Sequence, residues 1–124
     1  MSVALGVFFG GAIGALSRYG LDSWIERHTV SDFPWGTFVV NVTGCLVVGF
    51  LIAALVDRHH APAWLRAALV VGSCGGYTTF STFAQETLEL LEARLAALAI
   101  LNVAASVMVG LVAVFIGAQL GRRI

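Results

Sequence analysis

Four apolar stretches dominate this chain, at about residues 3–24, 36–56, 63–92 and 96–120. Each reaches the ~20 residues needed to cross a bilayer. Backbone in hydrocarbon must satisfy its own hydrogen bonds, so stretches of this length are restricted to helices. The expected fold is an all-α membrane protein, a single four-helix transmembrane domain over residues 1–124. Composition agrees, with 59% hydrophobic and 11% charged residues and a mean hydropathy of +0.92. Basic and acidic residues balance at seven each, which leaves no electrostatic footprint for nucleic acid. The start of the chain lacks a positive n-region and a cleavage site, and no lipidation motif is present. The first stretch is therefore expected to remain as a span.

The third stretch departs from a plain span. It is longer than one crossing needs, and its middle reads Gly72-Ser73-Cys74-Gly75-Gly76-Tyr77-Thr78-Thr79-Phe80-Ser81-Thr82-Phe83. Paired glycines lower helix preference, and the β-branched Thr78-Thr79 pair lowers it further. A break is expected at residues 75–79, with a second half-helix from Phe80. Each backbone group freed in hydrocarbon costs several kcal/mol unless it finds a partner. Such a break belongs where protein surrounds it or a polar cavity reaches it. On the second half-helix, Phe80 and Phe83 share one face.

Few other polar groups lie at membrane depth. In the first stretch Gly6, Gly10 and Gly14 recur every four residues, a spacing that admits close approach of another backbone. The same stripe continues to Arg18, Asp22 and Glu26. Arg18 reads either as an interfacial arginine paired with Asp22 at i+4, or as a buried cation that attracts an anion or ties helices together. Asn41, on a face with Thr37 and Cys45, reads as interhelical glue or as a donor to a bound or permeating species; one residue can serve both. Asn102 and Ser106 share a face with Gly110 on the fourth stretch, and Gly117 and Gly121 form another close-approach pair. Glu86 is expected at an ordinary solvated helix end, with a vestibule as the other reading. Cys45 and Cys74 are expected to be small buried hydrophobes. His28 and the His59-His60 pair fall at loops and are expected as surface histidines rather than metal ligands.

With four spans, both termini and the second loop share one side. Arg58, Arg66, Arg122 and Arg123 lie there, against Arg27, Arg94 and the nearby Arg18 on the other. This is a weak bias under the positive-inside rule, consistent with insertion in both orientations. Glycine stripes leave helix faces wanting partners, and a closed C2 homodimer is the simplest answer. Mixed orientations would put its two-fold axis in the membrane plane.

Three motifs then carry a resemblance: Gly10-Gly11-Ala12-Ile13-Gly14-Ala15-Leu16-Ser17-Arg18-Tyr19, Gly36-Thr37-Phe38-Val39-Val40-Asn41-Val42-Thr43-Gly44, and Gly72 to Phe83. In length, span number and motif order the chain resembles the fluoride channels of the Fluc (CrcB) family. The resemblance implies a dual-topology antiparallel homodimer in the cell inner membrane with two fluoride pores, allowing passive fluoride efflux. It implies pore roles for Phe80, Phe83 and Asn41. It also implies a structural sodium ion at the dimer interface, held by the backbone carbonyls of Gly75 and Thr78. Arg18 matches the family's first-helix arginine. Asn102 and Ser106 fall where the family carries a polar track, which stops early here because Gly110 and Val114 take the next positions.

The chemistry is consistent with that resemblance. An aromatic ring has a positive edge, so phenylalanines contact an anion without holding it tightly, and weak multi-site contact favours conduction. Asn41, Thr79, Ser81 and Ser106 offer N–H and O–H donors in place of water. The competing reading is a small multidrug-resistance-type four-helix exporter with dual topology. That reading calls for a carboxylate deep in a span, and the first span offers none before Asp22. No nucleophile–base or metal constellation lies at membrane depth, so no enzyme activity is expected.

Overall fold

The computed structural model describes residues 2–58 and 61–124. It is all-helical among these residues, and its long rods are α1 (Val3–His28), α2 (Trp35–Leu51) and α5 (Ala96–Gly121). The third helix is α3 (residues 63–77) followed, after the break, by α4 (Phe80–Glu92). Within α3, Ala63–Arg66 and Gly75–Tyr77 are α-helical, and Ala67–Cys74 between them has the wider π-turn. A second wide-turn segment, Ile52–Arg58, continues α2. Helix α1, the rod Trp35–Leu55 and α5 are each long and apolar enough to span a membrane. The protein is thus a multi-pass membrane protein of four helices with the third interrupted.

Local sequence sets the ends. Ser2 caps α1, its hydroxyl accepting from the Leu5 amide at 3.3 Å. Pro62 stands immediately before α3, where its missing N–H costs nothing. Helix α1 runs through to His28, beyond the expected end near residue 24, and the exposed indole of Trp24 stacks on the His28 ring at 4.6 Å. His28 is exposed, as expected. The expectation for His59 and His60 lies outside the described residues.

Packing follows the glycine stripes. Gly6, Gly10 and Gly14 of α1 face the carbonyls of Trp64, Ala68 and Ser73 on α3, so close that a Cβ at any of them would collide with backbone. The same device joins α2 to α5. Gly117 faces the Leu46 carbonyl, Gly121 the Phe50 carbonyl, and Gly49 the Val114 carbonyl in return. Small residues let backbones touch, which is how helices associate where lipid is as apolar as the side chains. Cys45 and Cys74 are free thiols among these packed helices.

The break differs from its expected extent. Gly75 is helical, with φ −65° and ψ −35°, and the helix continues to Tyr77. Only Thr78 and Thr79 leave it, with ψ values of 156° and 117°. The glycines lower helix preference by ~1 kcal/mol each, a penalty that packing offsets at Gly76, which lies so near the Gly11 carbonyl that a Cβ there would be crowded.

Candidate functional site

Two extended threonines place two peptide groups outside any helix, and Asn41 on α2 meets both. Its Nδ2 donates to the Thr79 carbonyl at 3.0 Å, and its Oδ1 accepts from the Thr79 amide at 2.8 Å. One side-chain amide thus satisfies both backbone groups of one residue. Thr79 also caps α4, its Oγ1 accepting from the Thr82 amide at 3.2 Å. Because the Thr79 N–H turns to Asn41, the Gly75 carbonyl loses the donor a continuing helix would have supplied.

Beside the break lies a groove of about 440 Å³. It brings together Asn41, Gly75, Thr78, Thr79, Phe80, Phe83 and Ser106 from α2, α3, α4 and α5. The Phe80 and Phe83 rings are 5.6 Å apart and tilted by 45°. Phe83 is half-buried, whereas Phe80 is 79% exposed. Helix α4 starts at the groove, and its N-terminal N–H groups carry partial positive charge there.

Two residues expected at this site lie elsewhere. Arg18 does not line the groove. It sits across Thr79 in a smaller cavity of about 240 Å³ with Asp22, Thr37, Thr79 and Thr82. From there its Nη1 donates to the Thr78 carbonyl at 3.4 Å, so it ties α1 to the break. Ser81 is exposed and outside the groove, because it follows Phe80 around the first turn of α4; its hydroxyl lies 3.3 Å from Thr79 Oγ1.

Glu86 departs from the solvated end expected for it. It is half-buried, and Thr37 Oγ1 donates to its Oε1 at 2.8 Å. Among the described residues its Oε2 is buried without a partner, as is Oδ1 of Asp22. Glu86 also lines a cavity of about 400 Å³ with Glu26, Asp32, Phe33 and Glu89. Glu86 therefore stands at a cavity wall rather than at a solvated helix end. Spacing puts Glu86 three residues beyond Phe83 and Thr37 four before Asn41, but it does not set the two side chains against each other.

On the far wall, Ser106 Oγ donates to Asn102 Oδ1 at 3.4 Å and Asn102 Nδ2 donates to Thr87 Oγ1 at 3.0 Å. Asn102 is 1% exposed. Among the described residues no cluster of three His, Cys, Asp or Glu is placed to bind a metal.

Comparison with known proteins follows the same lines. Residues 5–118 match the family model described as CrcB-like protein, Camphor Resistance (CrcB). The fluoride-specific ion channel FluC of Acidobacterium capsulatum is 43% identical over 122 residues, covering 97% of this chain and 96% of the relative. The protein of the same name from Hydrogenovibrio crunogenus is 39% identical over 119 residues, covering 96% and 90%. That from Azotobacter vinelandii is 43% identical over 117 residues, covering 94% of each. The three motifs that carry the resemblance, at residues 10–19, 36–44 and 72–83, all lie inside the matched region, and the chain belongs to the FluC (CrcB) family of ion channels.

Proposed function

We propose that this protein is a fluoride-selective channel that lets fluoride leave the cytoplasm passively across the inner membrane. The observation that carries this reading is the groove, which gathers Asn41, Thr79, Phe80, Phe83 and Ser106 at an interrupted helix. Fluoride is small and strongly hydrated, so a path for it must replace water with donors. Asn41 spends one N–H on Thr79 and keeps the second. Phenylalanine edges and the α4 N-terminus add weak positive potential without a fixed cation in the groove. A path of weak contacts lets the ion go on as readily as it enters.

The pore is completed by a second copy of the chain in an antiparallel homodimer with two pores. Support comes from the ring of Phe80, which the single chain leaves uncovered beside Gly75. The same face fits a sodium ion at the dimer axis. Gly75 O has lost its helical donor, and among the described residues Thr78 O has only the long bond from Arg18. One chain offers two such carbonyls, so the ion requires both subunits. Sodium bound there would neutralise freed carbonyls and add positive potential near the path. The exporter reading finds no support: its carboxylates, Asp22 and Glu86, lie outside the groove, and the relatives carry a channel's name.

The test is purified protein in sealed liposomes loaded with potassium fluoride or potassium chloride, with efflux followed by ion-selective electrodes. Fluoride efflux with little chloride efflux is expected. Well-incorporated protein that passes no fluoride would overturn the proposal.

A further inference from the structure

We infer that Asn102 is a positioning residue for the groove, tying Phe83 on α4 to Ser106 on α5 from behind the wall. This rests on the channel reading of the groove. The tie is one directed chain. Thr87 Oγ1 donates to the Phe83 carbonyl at 2.7 Å, one turn back along α4. Its single proton is then spent, so it can only accept from across the interface. Asn102 Nδ2 supplies that bond at 3.0 Å. The amide orientation is fixed by this, and its Oδ1 is turned to accept from Ser106 at 3.4 Å.

The two ends of the chain, Phe83 and Ser106, line the groove, and its middle members, Asn102 and Thr87, do not. Asn102 is buried to 1%, so it shapes the path without meeting an ion. A buried amide needs partners, and here one of its two N–H groups and its oxygen are bonded to groups that hold the wall. The chain also sets what Ser106 presents. While its proton rests on Asn102 the hydroxyl shows lone pairs to the groove; the bond is long, so an anion competes for that proton. Asn102 therefore acts on both the place of the Phe83 turn and the donor state of Ser106.

The experiment uses Asn102→Leu, the near-isosteric Thr87→Val, the hydroxyl-keeping Thr87→Ser and the Asn102→Leu/Thr87→Val double variant. Fluoride and chloride efflux are measured in liposomes beside wild type. Each of the first two variants is expected to lower fluoride efflux on the order of fivefold and to narrow the fluoride-to-chloride ratio. The double variant is expected to be no worse than either, because both cut one chain. Thr87→Ser is expected to behave as wild type. Unchanged efflux and selectivity in Thr87→Val, or losses that multiply in the double variant, would overturn the assignment. Thr87→Val keeps the test open if Asn102→Leu fails to insert. Hydrogen exchange at amides 83–87 is read in parallel, and faster exchange in Thr87→Val is expected. Wild type that passes no fluoride would refute the channel reading alone, and exchange unchanged by Thr87→Val would refute the tie alone.

Discussion

Asn41 is committed to Thr79 before it meets any ion. It bonds both peptide groups of Thr79, at 3.0 and 2.8 Å, and so occupies the place a neighbouring strand would take. Side-chain bonds between membrane helices average only ~0.6 kcal/mol, because the unfolded chain in lipid finds other partners. Asn41 differs in that its loss strands two backbone groups at a fixed break, each worth roughly 1–3 kcal/mol. Asn41→Leu is therefore expected to lower thermal stability in detergent by several degrees and to stop fluoride efflux; melting like wild type would show that the break holds itself. Asn41→Asp separates the roles. It keeps the acceptor for the Thr79 amide, loses the donor to the carbonyl and brings negative charge to the groove. Its stability should fall less than that of Asn41→Leu while efflux is equally lost. Phe83→Ile is expected to cut efflux at least tenfold, given that aromatic edges attract anions and aliphatic surfaces do not, with normal insertion as judged by gel filtration. Of this site, Asn41, Thr79, Phe80, Phe83 and Ser106 were legible in the sequence as groups that come together, whereas Arg18 and Ser81 were expected beside them and lie outside the groove. The clamp was legible only as one of two readings of Asn41, because a lone polar residue does not announce its partner 38 positions away.

At the scale of helices, the break shows what propensity can and cannot decide. Gly75 and Gly76 look like its cause, yet both are helical, and the backbone turns only at Thr78 and Thr79. Glycine permits a bend without forcing one. Gly76 serves approach instead, lying against the Gly11 carbonyl, as Gly10 and Gly14 of α1 lie against the Ala68 and Ser73 carbonyls. That i+4 stripe was readable because close approach leaves a periodic mark in sequence. The π-turns of Ala67–Cys74 left none, and neither did the burial of Glu86 against Thr37, which depends on how α2 and α4 are set against each other. A paired substitution tests the approach argument. Gly14→Ala pushes a methyl into the Ser73 carbonyl and is expected to destabilise the fold by about 1–3 kcal/mol. Gly20→Ala meets nothing within 4 Å, and should be neutral or stabilising by up to about 1 kcal/mol through helix propensity alone. Equal effects in thermal or denaturant melts would show that the glycines act through backbone entropy rather than contact.

For the whole molecule, the α1–α3 and α2–α5 pairings bury only part of each helix, and the rest of their apolar surface is left to the bilayer. Gly75, beside the break, is also exposed, and a Cβ there would meet nothing within 4 Å. Phe80, five residues on, is 79% exposed. Within one chain Gly75→Ala is therefore expected to be harmless, and it should favour the helix by up to about 1 kcal/mol, since Gly75 has helical backbone angles. In an antiparallel dimer whose two breaks meet at the axis, the same methyl falls between subunits and beside the carbonyls proposed to hold sodium. The variant thus has opposite signs for the protomer and for the assembly. Gly75→Ala is expected to insert and fold normally, to dissociate more readily on dilution in detergent, and to lose the stabilisation that wild type gains when sodium replaces N-methylglucamine. For wild type, the proposed site makes that gain an expected outcome: an ion bound only by the assembled form stabilises it, and the effect should rise with sodium concentration by mass action. Analytical ultracentrifugation and thermal melts in the two salts read both effects. A Gly75→Ala protein that dimerises, responds to sodium and conducts as wild type does would place the subunit contact on some other face of the bundle.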